Sequence, residues 1–162
     1  MSAAVVSFRA AVFNRRMLAC VFTGLASGMP LYVLFQLVPA WLSDGGVSLA
    51  EIGLFSLIGL PYTIKFLWAP FLDRFVPPFL GRRRGWMLIT QVFLLFSIGA
   101  MGMFNPEQST KLIAALALVV AFFSASQDVV LDAYRREILS DDELGLGSSI
   151  HVQAYRISSL VP

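Results

Sequence analysis

The sequence predicts an all-α integral membrane protein, and three observations lead to that fold class. Hydrophobic residues make up 57% of the chain and charged residues only 14%, whereas a soluble domain carries roughly a quarter charged residues. The apolar residues form long blocks, and apolar runs of about 18 residues or more are typical of transmembrane helices. Lys and Arg are concentrated in alternate connections between the blocks, as in chains that cross a bilayer repeatedly.

The apolar blocks predict four full transmembrane helices and part of a fifth. The predicted helices cover residues 17–42, 52–72, 86–104, 112–131 and 148–162. The last block is too short to span a bilayer at about 1.5 Å per residue, so we expect residues 1–162 to be the N-terminal piece of a longer protein. Four prolines are expected to kink or break these helices: Pro30, Pro39, Pro61 and Pro70.

Gly24 and Gly28 lie four residues apart in the first predicted helix. Small residues at that spacing form one helix face, on which a second helix can approach closely. We therefore expect these two glycines to serve helix packing.

The positions of Lys and Arg predict the orientation in the membrane. Arginines precede the first helix, follow the second and follow the fourth: Arg9, Arg15, Arg16, Arg74, Arg82, Arg83, Arg84, Arg135 and Arg136. The other two connections hold only Lys111. By the positive-inside rule, the N-terminus and the arginine-rich connections are cytoplasmic. Because topology explains the basic residues, the net charge of +2 does not indicate a nucleic-acid partner.

The residue inventory excludes most kinds of catalytic site. The chain has a single cysteine, Cys20, and a single histidine, His151, so no metal-ligand cluster or internal disulfide is expected. It also lacks a glycine-rich phosphate-binding loop. The sequence therefore predicts neither an enzyme nor a bound cofactor.

Three ionisable residues fall inside predicted helices, and such residues mark functional sites in membrane proteins. From the helix rise, Lys65 lies ~12 Å, Asp128 ~6 Å and Arg156 ~12 Å inside the cytoplasmic boundary. We expect the three to meet if their helices face one cavity, with Asp128 exchanging a proton or contacting substrate. The alternative for Lys65 and Asp128 is a structural salt bridge that locks two helices together.

Asp132 shares a helix face with Asp128, four residues earlier, but is expected at the membrane edge as an ion pair with Arg135 or Arg136. Four uncharged polar residues are further candidates for a hydrophilic cavity, or alternatively for helix packing. They are Gln127, Tyr62, Gln36 and Tyr32.

The connection "APFLDRFVPPFLGRRRGW" resembles the cytoplasmic motif between helices two and three of the major facilitator superfamily. Ala69 stands in the place of a small residue, Asp73 and Arg74 match, and Gly81 precedes the basic cluster of Arg82, Arg83 and Arg84. The resemblance implies a gate latch at Asp73 and Arg74. Five extra residues, "VPPFL", separate the aspartate from the glycine, and this departure leaves the role of the basic cluster open.

A larger set of stretches is similar to AmpG-type permeases of the peptide/acetyl-CoA transporter family. It includes "GLASGMPLYVLFQLVPAWL", "LPYTIKFLWAPFLDR" and "FSASQDVVLDAYRREIL". This resemblance implies the N-terminal half of a major facilitator fold in a bacterial inner membrane. It also implies proton-driven import of muropeptides (GlcNAc-anhydromuramyl peptides) from the periplasm for cell-wall recycling, linked to β-lactamase induction.

Two alternatives remain at this stage. The stretch "SQDVVLDAYR" also suits importers of acetyl-CoA, and phosphates or a peptide carboxylate are equally good partners for Lys65 and Arg156. A non-transporting membrane scaffold or subunit is the alternative from another class.

Overall fold

The structure is a computed structural model that describes residues 14–162; Arg9 lies outside these residues. Every regular element within 14–162 is helical. Four helical stretches are long and apolar enough to cross a bilayer: Arg15–Asp44, Leu49–Leu67, Arg82–Met101 and Pro106–Ile138. The predicted all-α membrane fold is confirmed.

The first span consists of α1 (Arg15–Tyr32), a π-helical turn (Val33–Leu37) and α2 (Val38–Asp44). It begins at Asn14, whose side chain accepts a hydrogen bond from the Met17 amide and so satisfies one free donor of the first turn. Pro30 lies inside α1 and Pro39 in the first turn of α2. Because proline lacks an amide donor and its ring displaces a carbonyl one turn back, the irregular turn falls between them.

The second span is broken into short pieces, as its prolines predict. It comprises α3 (Leu49–Leu54), a 3-10 segment (Phe55–Gly59), α4 (Leu60–Ile64), a second 3-10 segment (Lys65–Leu67) and α5 (Ala69–Arg74). Pro61 and Pro70 stand in the first turns of α4 and α5, where a missing amide donor is harmless. Lys65 therefore lies at an interruption between two helices.

The remaining helices are α6 (Arg82–Met101), α7 (Pro106–Ile138) and α8 (Leu144–Ile157), which continues as a 3-10 turn (Ser158–Leu160). α6 begins four residues before the predicted start at 86, and α7 ends seven residues after the predicted end at 131. The prediction followed the edge of the apolar run, whereas helical hydrogen bonding continues into the polar residues beyond it. Arg82–Arg84 and Arg135–Arg136 thus lie within helical turns.

Two close helix pairs organise the bundle: α1 packs along α8, and α6 packs along α7. A Cβ on Gly24 would collide with the backbone of His151, and one on Gly28 with Tyr155 and Ser158. The prediction that these glycines permit close packing is therefore confirmed. Between α6 and α7, the rings of Phe93 and Phe123 stack at a centroid distance of 4.5 Å.

Candidate functional site

An ion pair lies within the apolar bundle, between the broken second span and α7. The Nζ atom of Lys65 is 3.7 Å from Oδ2 of Asp128, and the side chains are 33% and 15% exposed, respectively. The hydroxyl of Ser27 on α1 donates a hydrogen bond of 2.5 Å to Oδ1 of the same carboxylate. Two segments, α1 and the broken second span, therefore contact Asp128 of α7. Ser27 binds one carboxylate oxygen and Lys65 lies near the other.

The sequence "SASQD" positions this site because its successive side chains leave α7 in different directions. Ser126 accepts a 3.0 Å hydrogen bond from the indole of Trp68, whose ring packs on Phe122 at 4.9 Å. Gln127 donates through Nε2 to the Ala26 carbonyl at 3.3 Å. The first contact fixes the chain three residues after Lys65, and the second fixes the chain one residue before Ser27.

Two buried hydroxyls lie beside the pair. The Tyr62 hydroxyl and the Ser124 hydroxyl are neighbours across the interface between α4 and α7, and within residues 14–162 neither has a hydrogen-bond partner of good geometry. Buried hydroxyls without partners are uncommon because they lose their hydration. Tyr62 also packs against the ring of Phe35 at a centroid distance of 6.1 Å.

An aromatic pair, Tyr32 of α1 and Tyr155 of α8, brings a further polar group near Asp128. Their centroids are 5.5 Å apart and their rings are tilted by 50°, and Tyr155 lies within electrostatic range of Asp128. Tyr155 of α8 therefore contributes to the polar surroundings of the carboxylate. The sequence had pointed only to Arg156 as a site residue in this helix.

The structure does not bring Arg156 or Gln36 to the pair. Arg156 is exposed and no carboxylate of residues 14–162 lies within ion-pair distance of it, so the expected cluster of three charges contains only two. Gln36 is also exposed and lies within the π-helical turn. In a regular α-helix Gln36 would lie one turn beyond Tyr32, on the same face. The π-helical turn bonds residues five apart, so this alignment is lost.

Asp132 takes the position expected for an edge ion pair. Its Oδ1 atom is 2.9 Å from the guanidinium of Arg135, one turn along α7, and its side chain is 54% exposed. Asp132 and Asp128 share a helix but differ in surroundings, because only Asp128 is enclosed by neighbouring helices.

At the start of α6, Asp73 of the predicted gate motif lies in a small network of ion pairs. Arg83, 13% exposed, contacts Oδ1 of Asp73 at 2.5 Å and Oε1 of Glu137 at 2.8 Å. Arg82 lies 3.6 Å from Glu137. Arg74 and Arg84 form no ion pair within residues 14–162, so Arg83 takes the place of Arg74 as the partner of Asp73.

The five extra residues before Gly81 fold back over the first turn of α6. The Trp86 indole donates to the Phe75 carbonyl at 2.8 Å, and Gly85 lies against Pro77 so closely that a Cβ would collide with it. Gly81 has a φ of 76°, which glycine adopts without strain. This reversal brings Arg83 back to Asp73.

No group of three His, Cys, Asp or Glu side chains within residues 14–162 is arranged to hold a metal ion. His151 is 8% exposed and its Nδ1 lies 3.3 Å from the Thr23 hydroxyl. It therefore belongs to the packed interface of α1 and α8.

A family model described as Acetyl-coenzyme A transporter 1 matches residues 17–158. The match begins in the first turn of α1 and covers the rest of the four membrane-crossing stretches and all of α8. The chain belongs to this family. Asp128, Lys65 and Ser27 all lie inside the matched range, so the ion pair belongs to the part of the chain that this family model describes.

Relatives of known sequence extend the comparison to bacteria. The chain is 49% identical over 138 residues to the anhydromuropeptide permease of Escherichia coli K12, covering 85% of this chain and 28% of the permease. It is 55% identical over 156 residues to a Haemophilus influenzae protein described as uncharacterized, covering 96% of this chain and 37% of that protein. The chain thus spans about a third of the length of these relatives. The predicted resemblance to AmpG-type permeases is confirmed.

Sequence reasoning missed several residues that complete the site. Ser27 stands inside the glycine motif "GLASG", and its polarity was overlooked because the glycines explained the motif. Ser126 directly precedes the predicted Gln127 and Asp128, which was a usable signal. Glu137 lies in a charged run beyond the predicted end of the fourth helix, and only the longer α7 presents it to Arg83.

Proposed function

We propose that this chain forms the N-terminal part of a proton-coupled importer of muropeptides with a major facilitator fold, and lies within the N-terminal half of that fold. The observation that carries the proposal is the Asp128–Lys65 pair, which places a titratable carboxylate and a cation inside an apolar bundle. Such groups are costly in a membrane and mark proton or substrate pathways. The substrate class follows from the similarity to the anhydromuropeptide permease.

In this proposal Asp128 exchanges the coupling proton. A proton that arrives from the periplasmic side forms an O–H bond at Oδ2, the oxygen nearest Lys65. The carboxyl group becomes neutral, and the ammonium of Lys65 loses its counter-charge and turns to an anionic group of the substrate. Deprotonation toward the cytoplasm restores the pair. The 3.7 Å separation suits this cycle, because a longer contact holds the two charges less firmly than a short one.

The hydroxyls near the pair suit a substrate that contains sugar and peptide groups. Tyr62, Ser124 and the Tyr32–Tyr155 pair offer hydrogen-bonding groups and aromatic faces at the same site. Gln127 and Asp132 belong to the surroundings of Asp128 in this proposal, with Asp132 at the aqueous edge.

The proposed location is the bacterial inner membrane, with surrounding lipid and a cytoplasmic N-terminus. Arg16, Arg83 and Arg135 all lie at one end of the bundle, where they pair with Glu143, Asp73 and Asp132, and basic ends face the cytoplasm. The latch of Asp73, Arg83 and Glu137 would then act at the cytoplasmic opening.

The second candidate is transport of acetyl-CoA, which the description of the matching family favours. In that case the ammonium of Lys65 would contact a phosphate. The two candidates share the proton step and differ only in the substrate.

The deciding experiment measures uptake of labelled anhydromuropeptide by cells that lack their own permease and express the product of the complete gene. Uptake that disappears with a protonophore supports the proposal. A well-expressed protein that transports labelled acetyl-CoA into membrane vesicles, but not anhydromuropeptide, would establish the second candidate instead.

A further inference from the structure

Ser27 directs its hydroxyl to a carboxylate on another helix, whereas three other buried hydroxyls bind the backbone of their own helical turns. Serine and threonine within helices commonly donate to a carbonyl of the preceding turn, and Thr90, Ser126 and Ser158 do so here. Ser27 is 5% exposed and donates across the helix interface to Asp128. A local backbone acceptor is therefore given up for a contact with the carboxylate.

The packing of α1 against both α8 and α7 supports this contact. Gly24 and Gly28 seat α1 closely on α8, and the Ala26 carbonyl accepts from Gln127. Two adjacent residues of α1 thus bind two adjacent residues of α7. This geometry fixes the position of the Ser27 hydroxyl.

We propose that Ser27 is the positioning residue of Asp128: it holds Oδ1, so that Oδ2 is the oxygen that takes and releases the proton opposite Lys65. The transport consequence rests on the proposed function, whereas the contact itself does not. A hydroxyl that donates to a carboxylate favours the ionised form. Ser27 therefore sets the pH at which the carboxyl group changes charge.

Four other titratable groups also face Asp128 and interact electrostatically with its carboxyl group. Lys65 approaches from the second span and Asp132 from α7 itself. Tyr62 faces it from α4 and Tyr155 from α8. Ser27 differs from these four because it is the neutral donor in direct hydrogen-bond contact with Oδ1.

The test is an infrared titration of the Asp128 carboxyl group in the purified product of the complete gene, reconstituted in lipid. The Asp128→Asn variant identifies the band. Ser27→Ala is expected to raise the midpoint by about one pH unit, the usual size for loss of one hydrogen bond to a charged group. Ser27→Thr, which keeps the hydroxyl, should restore a midpoint close to the original. Ser97→Ala, at a buried serine of α6, is the matched control and should leave the midpoint unchanged.

An unchanged midpoint in Ser27→Ala overturns the proposal, and so does an equal shift in Ser27→Thr. If Ser27→Ala does not fold, Ser27→Cys replaces it, because a thiol is a weak donor and should give a smaller shift in the same direction; an unshifted midpoint there also overturns the proposal. The titration needs no substrate. If the unmodified protein does not take up muropeptide, the proposed function is refuted, but the titration still tests the role of Ser27.

Discussion

At the start of α6, Arg83 contacts two carboxylates at 2.5 and 2.8 Å, and those carboxylates are 52% and 47% exposed. Inside the bundle, Asp128 is 15% exposed and the ammonium of Lys65 lies 3.7 Å away. The shortest contacts thus occur where water already screens the charges, and the longest occurs where it screens them least. Exposed pairs contribute little to stability even at good geometry, whereas an enclosed and loosely held pair can respond strongly to a single proton.

The largest expected effect comes from Asp128→Asn, which keeps the side-chain shape but removes the charge and the titratable oxygen. Gradient-driven uptake by the full-length protein should fall by about tenfold or more, because an amide cannot take up and release the coupling proton. Asp132→Asn is the matched control and should retain most of the uptake. Equal initial rates in Asp128→Asn and the unmodified protein would contradict the proton role.

The next effect concerns stability and separates a structural salt bridge from a titrating pair. Lys65→Met leaves the Asp128 carboxylate without its cation, which should cost about 1–2 kcal/mol of unfolding free energy after discounting for the partly exposed lysine. The double variant Lys65→Met with Asp128→Asn should recover part of that loss. The measurement is denaturant unfolding in detergent. If the loss in the double variant equals the sum of the losses in Lys65→Met and Asp128→Asn, the two residues do not interact.

A smaller effect is expected at the exposed network. Arg83→Ala removes both carboxylate contacts and should lower the unfolding free energy by about 1 kcal/mol. This loss should be smaller at high salt, because salt screens exposed charges. Arg84→Ala, in the same turn but without an ion pair among residues 14–162, is the control. Thermal melting in detergent at low and high salt tests both. If the two variants melt alike, the latch geometry at Arg83 has no energetic role.

The smallest effect is a pH dependence at the Arg16–Glu143 contact between the first turn of α1 and the start of α8. The hydrogen bond from Arg16 lowers the pKa of the Glu143 carboxyl group, helped by Ser140. A lowered folded-state pKa gives stabilisation that is present above the usual glutamate pKa and lost as the pH falls through the lowered value. In thermal unfolding, Arg16→Ala should therefore have a slightly lower melting temperature than the unmodified protein near neutral pH. At strongly acidic pH the two melting temperatures should be the same. Arg15→Ala is the control, and an Arg16→Ala difference that persists in acid would refute the assignment.

The sequence by itself determined the membrane fold, the approximate helices, the break in the second span and the presence of Lys65 and Asp128 within apolar stretches. These features follow from local chemistry: apolar runs long enough to span a bilayer, prolines without amide donors, and charges that are expensive in an apolar environment. The glycine spacing in α1 belongs with them, because it depends only on helix periodicity.

Only the tertiary structure decided which side chains meet. Ser27 and Asp128 are 101 residues apart and come together because α1 and α7 pack against each other. Arg83 replaced Arg74 as the partner of Asp73 because the inserted loop reverses the chain, and Glu137 entered because α7 continues beyond its apolar run. Arg156 is exposed on α8 and forms no ion pair within residues 14–162. Helix periodicity fixes the face on which a residue lies, but helix crossings and loop reversals decide which faces come together.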